Sequence, residues 1–167
     1  MRVMLATPTL FRVPTVEYQM SVMKTMNLLM QHGHVMDTCF VGGDAFISKA
    51  RNGLVQSFIE TWKGDYPSDM LLFIDDDEAW DEQAVLRMIN DPHEIIAAAV
   101  PKKMDAKENE PQTFNNVMLD TDKKGQCYVE NGLLRATQIG SGFLSIKRSA
   151  IEKMIKAYPS RYSPGDG

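Results

Sequence analysis

Met70-Leu71-Leu72-Phe73-Ile74-Asp75-Asp76-Asp77-Glu78 sets five apolar residues directly against four acids. An apolar run of this length, without polar residues at alternate positions, predicts a central parallel strand buried on both faces. The carboxylates then sit at the carboxyl end of the strand, the edge at which open α/β sheets bind ligands. Crowding Asp75, Asp76 and Asp77 costs like-charge repulsion of about 1 kcal/mol for a close pair in water, and more in a cleft of lower dielectric. A divalent cation offsets that cost. Magnesium or manganese takes oxygen ligands, is often held by one or two carboxylates, and completes its shell with water and phosphate oxygens. In an extended segment residues i and i+2 share a side, so Asp75 and Asp77 are the expected metal ligands and Asp76 faces elsewhere. The plainer role, acids that end a strand and cap the next helix, is better filled by Asp81, which precedes the helical pattern of Val85, Met88 and Ile89.

Working outward, Arg2 to Ala6 predicts a first strand that breaks at Thr7-Pro8-Thr9. Val16, Met20, Met23 and Met30 recur at helical spacing, with Thr15 as N-cap, Glu17 in the first turn and Gly33 as the stop. Val35 to Val41 is a second strand closed by Gly42-Gly43-Asp44. From Ile47 to Trp62, residues Ile47, Ala50, Leu54, Val55, Phe58, Ile59 and Trp62 share one helical face, with Arg51 in its middle. A buried-facing arginine is costly unless paired, so Arg51 should meet an acid, meet a ligand anion, or reach past the first turn. Ile95 to Val100 is a strand halted by Pro101, and Lys102 to Gln112 is a charged loop in the place of a mobile lid. Asp122-Lys123-Lys124-Gly125 predicts a hairpin turn joining Val117-Met118-Leu119 to Gln126–129. Ile139 to Ile146 reads as a glycine-opened strand, and Ser149 with Glu152 as a capping box for a helix through Ala157. The expected class is α/β: a mostly parallel central sheet flanked by helices, with a small antiparallel element in the C-terminal half, in a single domain spanning residues 1–167.

The composition narrows the function classes. An apolar content of 44% over 167 residues suits one compact domain. No run approaches the roughly 18 apolar residues of a membrane span, and no secretory signal pattern opens the chain, so a cytoplasmic protein is expected. A net charge of -4 disfavours broad phosphate-driven nucleic-acid binding, leaving Lys102 and Lys103 as a local basic patch. Cys39 and Cys127 lack CxxC or CxxH neighbours, which speaks for free thiols over a zinc site. The three histidines, His32, His34 and His93, read as surface or helix-end residues, and the twelve methionines as core filler.

Three ordered blocks resemble the GT-A glycosyltransferases, a Rossmann-like fold whose DxD strand binds a metal and the donor diphosphate. Val3-Met4-Leu5-Ala6-Thr7-Pro8 is similar to the first strand and nucleotide-contacting loop. Ile47-Ser48-Lys49-Ala50-Arg51-Asn52 with Leu72-Phe73-Ile74-Asp75-Asp76-Asp77 is similar to the helix and DxD pairing of bacterial and phage members of glycosyltransferase family 2 type. Ile139-Gly140-Ser141-Gly142-Phe143-Leu144 is similar to the strand lining the sugar and acceptor cleft. The likeness spans most of residues 1–150.

It implies a nucleotide-sugar donor, a hydroxyl acceptor, and a divalent metal, Mn2+ or Mg2+. Thr7 and Pro8 would border the base, Arg51 and Asn52 the nucleotide, Asp75 the ribose or metal, and Asp77 the metal, with Asp76 and with Ser141 and Gly142 in the donor site. Arg51 is equally readable as a salt-bridge partner of one of these aspartates, and Gly140 to Gly142 as a bulge. Family members commonly add a later acidic motif and a late histidine, which this chain lacks after Ser149, so the expectation is a truncated member, a minimal one, or one whose catalytic base is not identified. Inverting or retaining stays open, and for an inverting enzyme Asp105, Glu108 and Glu110 are the base candidates. A nucleotidyltransferase and a non-catalytic nucleotide- or carbohydrate-binding module are the rival readings; a Walker-type NTPase is disfavoured by the absence of GxxxxGK[ST].

Overall fold

In a computed structural model, residues 1–101, 114 and 117–161 are described. They form β1 (Arg2–Thr9), α1 (Val16–Gln31), β2 (Val35–Gly42), α2 (Ile47–Glu60), β3 (Met70–Ile74), α3 (Glu82–Asn90) and β4 (Ile95–Ala97). These are followed by β5 (Met118–Leu119), β6 (Val129–Glu130), β7 (Leu133–Leu134), β8 (Ala136–Gln138), β9 (Phe143–Lys147) and α4 (Arg148–Ala157). The central sheet has the order β2-β1-β3-β9-β4. β1 pairs in parallel with β2 from Arg2 opposite Val35 to Thr9 opposite Gly42, and with β3 from Val3 opposite Met70 to Ala6 opposite Phe73. β9 runs antiparallel between β3 and β4, so β4 again points along β3. The fold is a mixed α/β layer structure with a mostly parallel sheet. Two small antiparallel sheets, β5-β8 and β6-β7, lie outside it.

Alternation along β1 and β3 builds two cores. Val3, Leu5, Met70, Leu72 and Ile74 pack with Tyr18 and Leu29 of α1 and with Val85, Met88 and Ile89 of α3. Met4, Ala6, Leu71 and Phe73 pack on the other side with Leu54 and Phe58 of α2 and Ile151 of α4. All five residues of β3 are buried, as expected for a strand covered on both faces. Asp81 is the N-cap of α3 and accepts from the Gln83 amide, while Thr15 caps α1 and accepts from the Tyr18 amide.

Several expectations require correction. β1 does not break at Thr7 but remains paired through Thr9. The methionines of α1 are not core filler: Met20, Met23 and Met30 are exposed, and the buried face is Tyr18, Ser21, Thr25 and Leu29. The reason is Trp80. Its backbone amide donates to Ser21 Oγ at 3.1 Å and its indole Nε1 to Thr25 Oγ1 at 2.8 Å, while its ring meets those of Tyr18 and Phe143 edge-on at 5.3 and 5.9 Å. A bulky residue from the segment before α3 fills the space, and the small hydroxyls beside it satisfy its polar groups.

The Asp122 turn is present, closed by a single Thr121–Cys127 bridge, but β5 pairs with β8 rather than with Gln126–129. Ser149 does not cap α4. Its hydroxyl bonds the Glu94 carboxylate, and Glu152 instead pairs with Arg148 at 2.8 Å. β4 ends at Ala97 and β9 begins only at Phe143. The expected loop Lys102 to Gln112 lies outside the described residues.

Two substitutions test this inversion of α1. Leu72→Ala should lower the unfolding free energy by about 2–5 kcal/mol, as large-to-small changes in a packed core do. Met20→Ala, measured on the monomer, should stay within about 0.5 kcal/mol. Urea denaturation of both variants reads the difference, and a loss of comparable size at Met20 would place the methionine stripe in the core after all.

Candidate functional site

β1 leads to α1 on one face of the sheet and β2 leads to α2 on the other, so the carboxyl ends of these neighbouring strands diverge and open a crevice. A cavity of about 500 Å3 lies there, lined by Thr9, Arg12, Pro14, Phe40 and Gly42. Thr9 is 5% exposed, and its Oγ1 is buried without a hydrogen-bond partner among the described residues. An orphaned buried hydroxyl costs roughly 1–3 kcal/mol, which a ligand with a polar edge would recover. Arg12 holds a left-handed backbone (φ 60) and lays its side chain against the Gly42 backbone. A Cβ at Gly42 would come within 2.6 Å of Arg12 Cγ, so glycine is required for that approach. Arg12 has no ion-pair partner among the described residues, and Phe40 is 46% exposed beside it. The cavity therefore offers a ring face, a hydroxyl and a cation.

The acidic cluster adjoins this crevice, because β3 is the other neighbour of β1. The Asp75 amide donates to the Gly142 carbonyl at 3.0 Å, and Asp75 Oδ1 accepts from Arg51 Nη2 at 2.7 Å. Arg51 and Asp75 are 20% and 32% exposed at their side chains, so the pair is half-buried; Arg51 Nε is left without a partner among the described residues. The awkward arginine of the α2 face thus meets an acid of the β3 cluster, one of the alternatives its sequence position allowed. On the other side of the carboxylate, a Cβ at Gly142 would stand 3.1 Å from Asp75 Oδ2. Glycine at 142 therefore leaves that oxygen uncrowded by a side chain.

Asp75 to Glu78 is not extended. The Glu78 amide returns to the Asp75 carbonyl at 3.2 Å, making a turn, so the argument that Asp75 and Asp77 share a side by strand alternation fails. The Asp76 carbonyl accepts from the Thr15 amide at 2.9 Å, which ties the turn to the start of α1 and to Pro14 of the cavity wall. Asp75 and Asp76 are half-buried and Asp77 is exposed. Among the described residues no group of three or more His, Cys, Asp or Glu side chains is arranged to hold a metal. A cation held by one or two carboxylates and completed by phosphate and water does not need three. Asp75 Oδ2, on the side of the carboxylate away from Arg51 and uncrowded by a side chain at Gly142, fits that lesser demand, with Asp77 two residues further along the turn.

The remaining expected residues divide. Thr7 is fully buried, and its hydroxyl shares a short hydrogen bond with the Tyr18 hydroxyl; Pro8 is also buried. The side chain offered to the crevice from β1 is that of Thr9. Asn52 is exposed on α2, and Ser141 and Gly142 are half-buried in a bend before β9. Asp105, Glu108, Glu110, Lys102 and Lys103 lie outside the described residues. Thr9 is legible in the sequence only as one of the hydroxyls at the carboxyl end of β1, and Arg12, Pro14 and Phe40 not at all; Gly42-Gly43 at the end of β2 is the available signal, since paired glycines mark a close backbone approach. Cys39 and Cys127 are free thiols, and no helix among the described residues is long and apolar enough to cross a membrane.

Burial pushes the Tyr18 phenol up to about 12 from 10.0, the Thr7 hydrogen bond opposes this, and the Asp76 charge adds to it. A raised folded-state value means the neutral phenol is favoured by folding. Its stabilisation is complete below pH 10 and is lost as pH rises toward 12. Spectrophotometric titration should show one of the five tyrosines ionising near pH 12, and Tyr18→Phe should remove that component and flatten the alkaline loss of stability. A titration unchanged by the substitution would contradict this placement of Tyr18. Comparison of the chain with protein-family models, with curated proteins and with solved structures gives no match, so the reading of the site rests on its own geometry.

Proposed function

We propose that the chain is a metal-dependent glycosyltransferase domain of GT-A type, which moves a sugar from a nucleoside-diphosphate sugar to a hydroxyl acceptor. The observation that carries this is the Asp75 carboxylate. It ends the fully buried β3, gives one oxygen to Arg51, and leaves the other beside the bare backbone of Gly142. An acid needed only to terminate a strand does not require a half-buried guanidinium on one side and a side-chain-free wall on the other.

The cavity between β1 and β2 suits the nucleoside. The Phe40 ring offers a stacking face, and Thr9 Oγ1 a hydrogen bond to a polar edge. Asp75 and Asp77 would hold a magnesium or manganese ion, which when bound supplies charge neutralisation to a departing diphosphate. Arg51 adds a fixed positive charge at the same end of the sheet, with the geometry preorganised by its bond to Asp75. Gly142 lets a sugar approach the backbone, and the amide of Asp75 is held by the Gly142 carbonyl, so the acid turn and the β9 lead-in are set in register. The mostly parallel sheet, with one antiparallel strand beside the acidic strand, supports the resemblance drawn from the three sequence blocks.

Calorimetric titration with UDP, GDP and ADP and their hexose adducts, with and without Mn2+, tests the reading. At least one donor should bind ten-fold or more tightly with Mn2+, and Asp77→Ala should abolish that gain. Thr9→Val should weaken binding by about 1 kcal/mol whether or not the metal is present. Metal-independent binding untouched by Asp77→Ala would defeat the proposal. Metal-dependent binding without release of free nucleoside diphosphate, across a panel of hydroxyl acceptors, would favour the non-catalytic module.

A further inference from the structure

α1 carries an apolar stripe on the side away from the sheet. Val16, Met20, Met23, Met26 and Met30 are 70%, 47%, 59%, 42% and 71% exposed. At about 100° per residue they fall within an arc of roughly 120°, opposite Tyr18, Ser21, Thr25 and Leu29. The outward arc, interrupted by Gln19 and Asn27, thus carries five large apolar residues where an ordinary surface helix is polar, while Val22 and Leu28 join Tyr18 and Leu29 on the inward side. The charges of α1, Glu17 and Lys24, lie outside the arc. Just before the helix, Phe11 and Val13 are a further 81% and 73% exposed.

The stripe is symmetric about Met23. Val16 and Met30 stand seven residues to either side of it, Met20 and Met26 three, and the exposed polar pair Gln19 and Asn27 four. A two-fold interface requires this property, since residue i of one copy must meet j of the other while j meets i. The spacing of seven and three is also that of a helix-to-helix seam. We propose that α1 is a homodimerisation surface, on which two copies pack α1 antiparallel about an axis through Met23.

In that arrangement Val16 meets the partner's Met30, Gln19 and the partner's Asn27 hydrogen-bond on either side of that contact, and Met20 meets the partner's Met26 at the edge. The helix is about 24 Å long at 1.5 Å per residue. With on the order of 100 Å2 available from each of its five large apolar side chains, the stripe supplies roughly 500 Å2, more than half of the roughly 800 Å2 per partner of a stable interface. Methionine suits a self-contact because its flexible side chain repacks against a copy of itself. A lipid surface is the lesser match: helices that lie on membranes carry Lys and Arg along the polar face, whereas α1 has Lys24 alone. The inference does not depend on the glycosyltransferase reading.

Sedimentation of the full chain from about 1 to 100 µM, with cysteine crosslinking in a Cys39→Ser, Cys127→Ser background, tests it. The unsubstituted chain should sediment at twice the monomer mass. Met23→Cys should form a disulfide-linked dimer under mild oxidation. Met20→Cys and Met26→Cys should each fail alone yet crosslink when mixed, because a disulfide needs Cα atoms within about 7 Å. Met23→Asp should be monomeric with unchanged far-UV dichroism. A monomer throughout the range, a dimer indifferent to Met23→Asp, or a monomer that instead pellets with anionic vesicles would each overturn the proposal.

Discussion

A strand buried on both faces admits no charge along its length, and β3 places that constraint at the centre of this molecule. All five of its residues are fully or almost fully removed from solvent, so the backbone direction is fixed by two cores at once and the chain becomes polar only where the strand ends. Everything at the candidate site is arranged around that exit. The Asp75 amide is held by the lead-in to β9, its carboxylate by α2 through Arg51, and the Asp76 carbonyl by the first amide of the α1 cap. Three elements that are distant in sequence thereby position one acidic turn. The half-buried pairing of Arg51 with Asp75 is strongly coupled to this arrangement, because removing either partner leaves a charge in a site of reduced solvation.

The same side of the sheet explains why α1 is oriented as it is. Trp80, which follows the acidic turn, extends into the space between α1 and β9 and needs hydroxyl partners there. Ser21 and Thr25 provide them, and Tyr18 completes the contact while its own hydroxyl satisfies Thr7. The aromatic group therefore links the acid turn, the first helix and the end of β1. Its position turns the methionines outward, so the exposed stripe of α1 and the internal support of the site are two consequences of one packing decision.

Much of this was legible from residue order. The apolar run of β3 and its acidic end, the caps Thr15 and Asp81, the two α2 anchors Leu54 and Phe58, and the need of Arg51 for an acid, a ligand anion or an exit to solvent all follow from local chemistry. Other features depended on partners that a local pattern does not contain. Periodicity locates a stripe on α1 but not the side that faces the sheet; Trp80, more than fifty residues away, decides that. Ser149 has the spacing of a capping residue, but the Glu94 carboxylate takes its hydroxyl. The Asp122 turn is local and was readable, whereas the pairing of β5 with β8 is set across a longer loop. At the site itself, the alternation argument for Asp75 and Asp77 assumed an extended chain, and the turn closed by the Glu78 amide replaces it. Thr9 joins the cavity wall because β1 runs three residues beyond its apolar core.

The central claim of the proposal is that Asp75 Oδ2, beside Gly142, would hold a divalent metal and the diphosphate it accompanies. Anomalous diffraction from crystals soaked with Mn2+ and a nucleoside diphosphate tests this directly. The account predicts a manganese peak about 2.0–2.2 Å from a carboxylate oxygen of Asp75 or Asp77, bridged to the diphosphate, with the nucleoside in the cavity of Thr9 and Phe40. A nucleotide bound elsewhere, or the cavity filled with no manganese at the acidic turn, would contradict it.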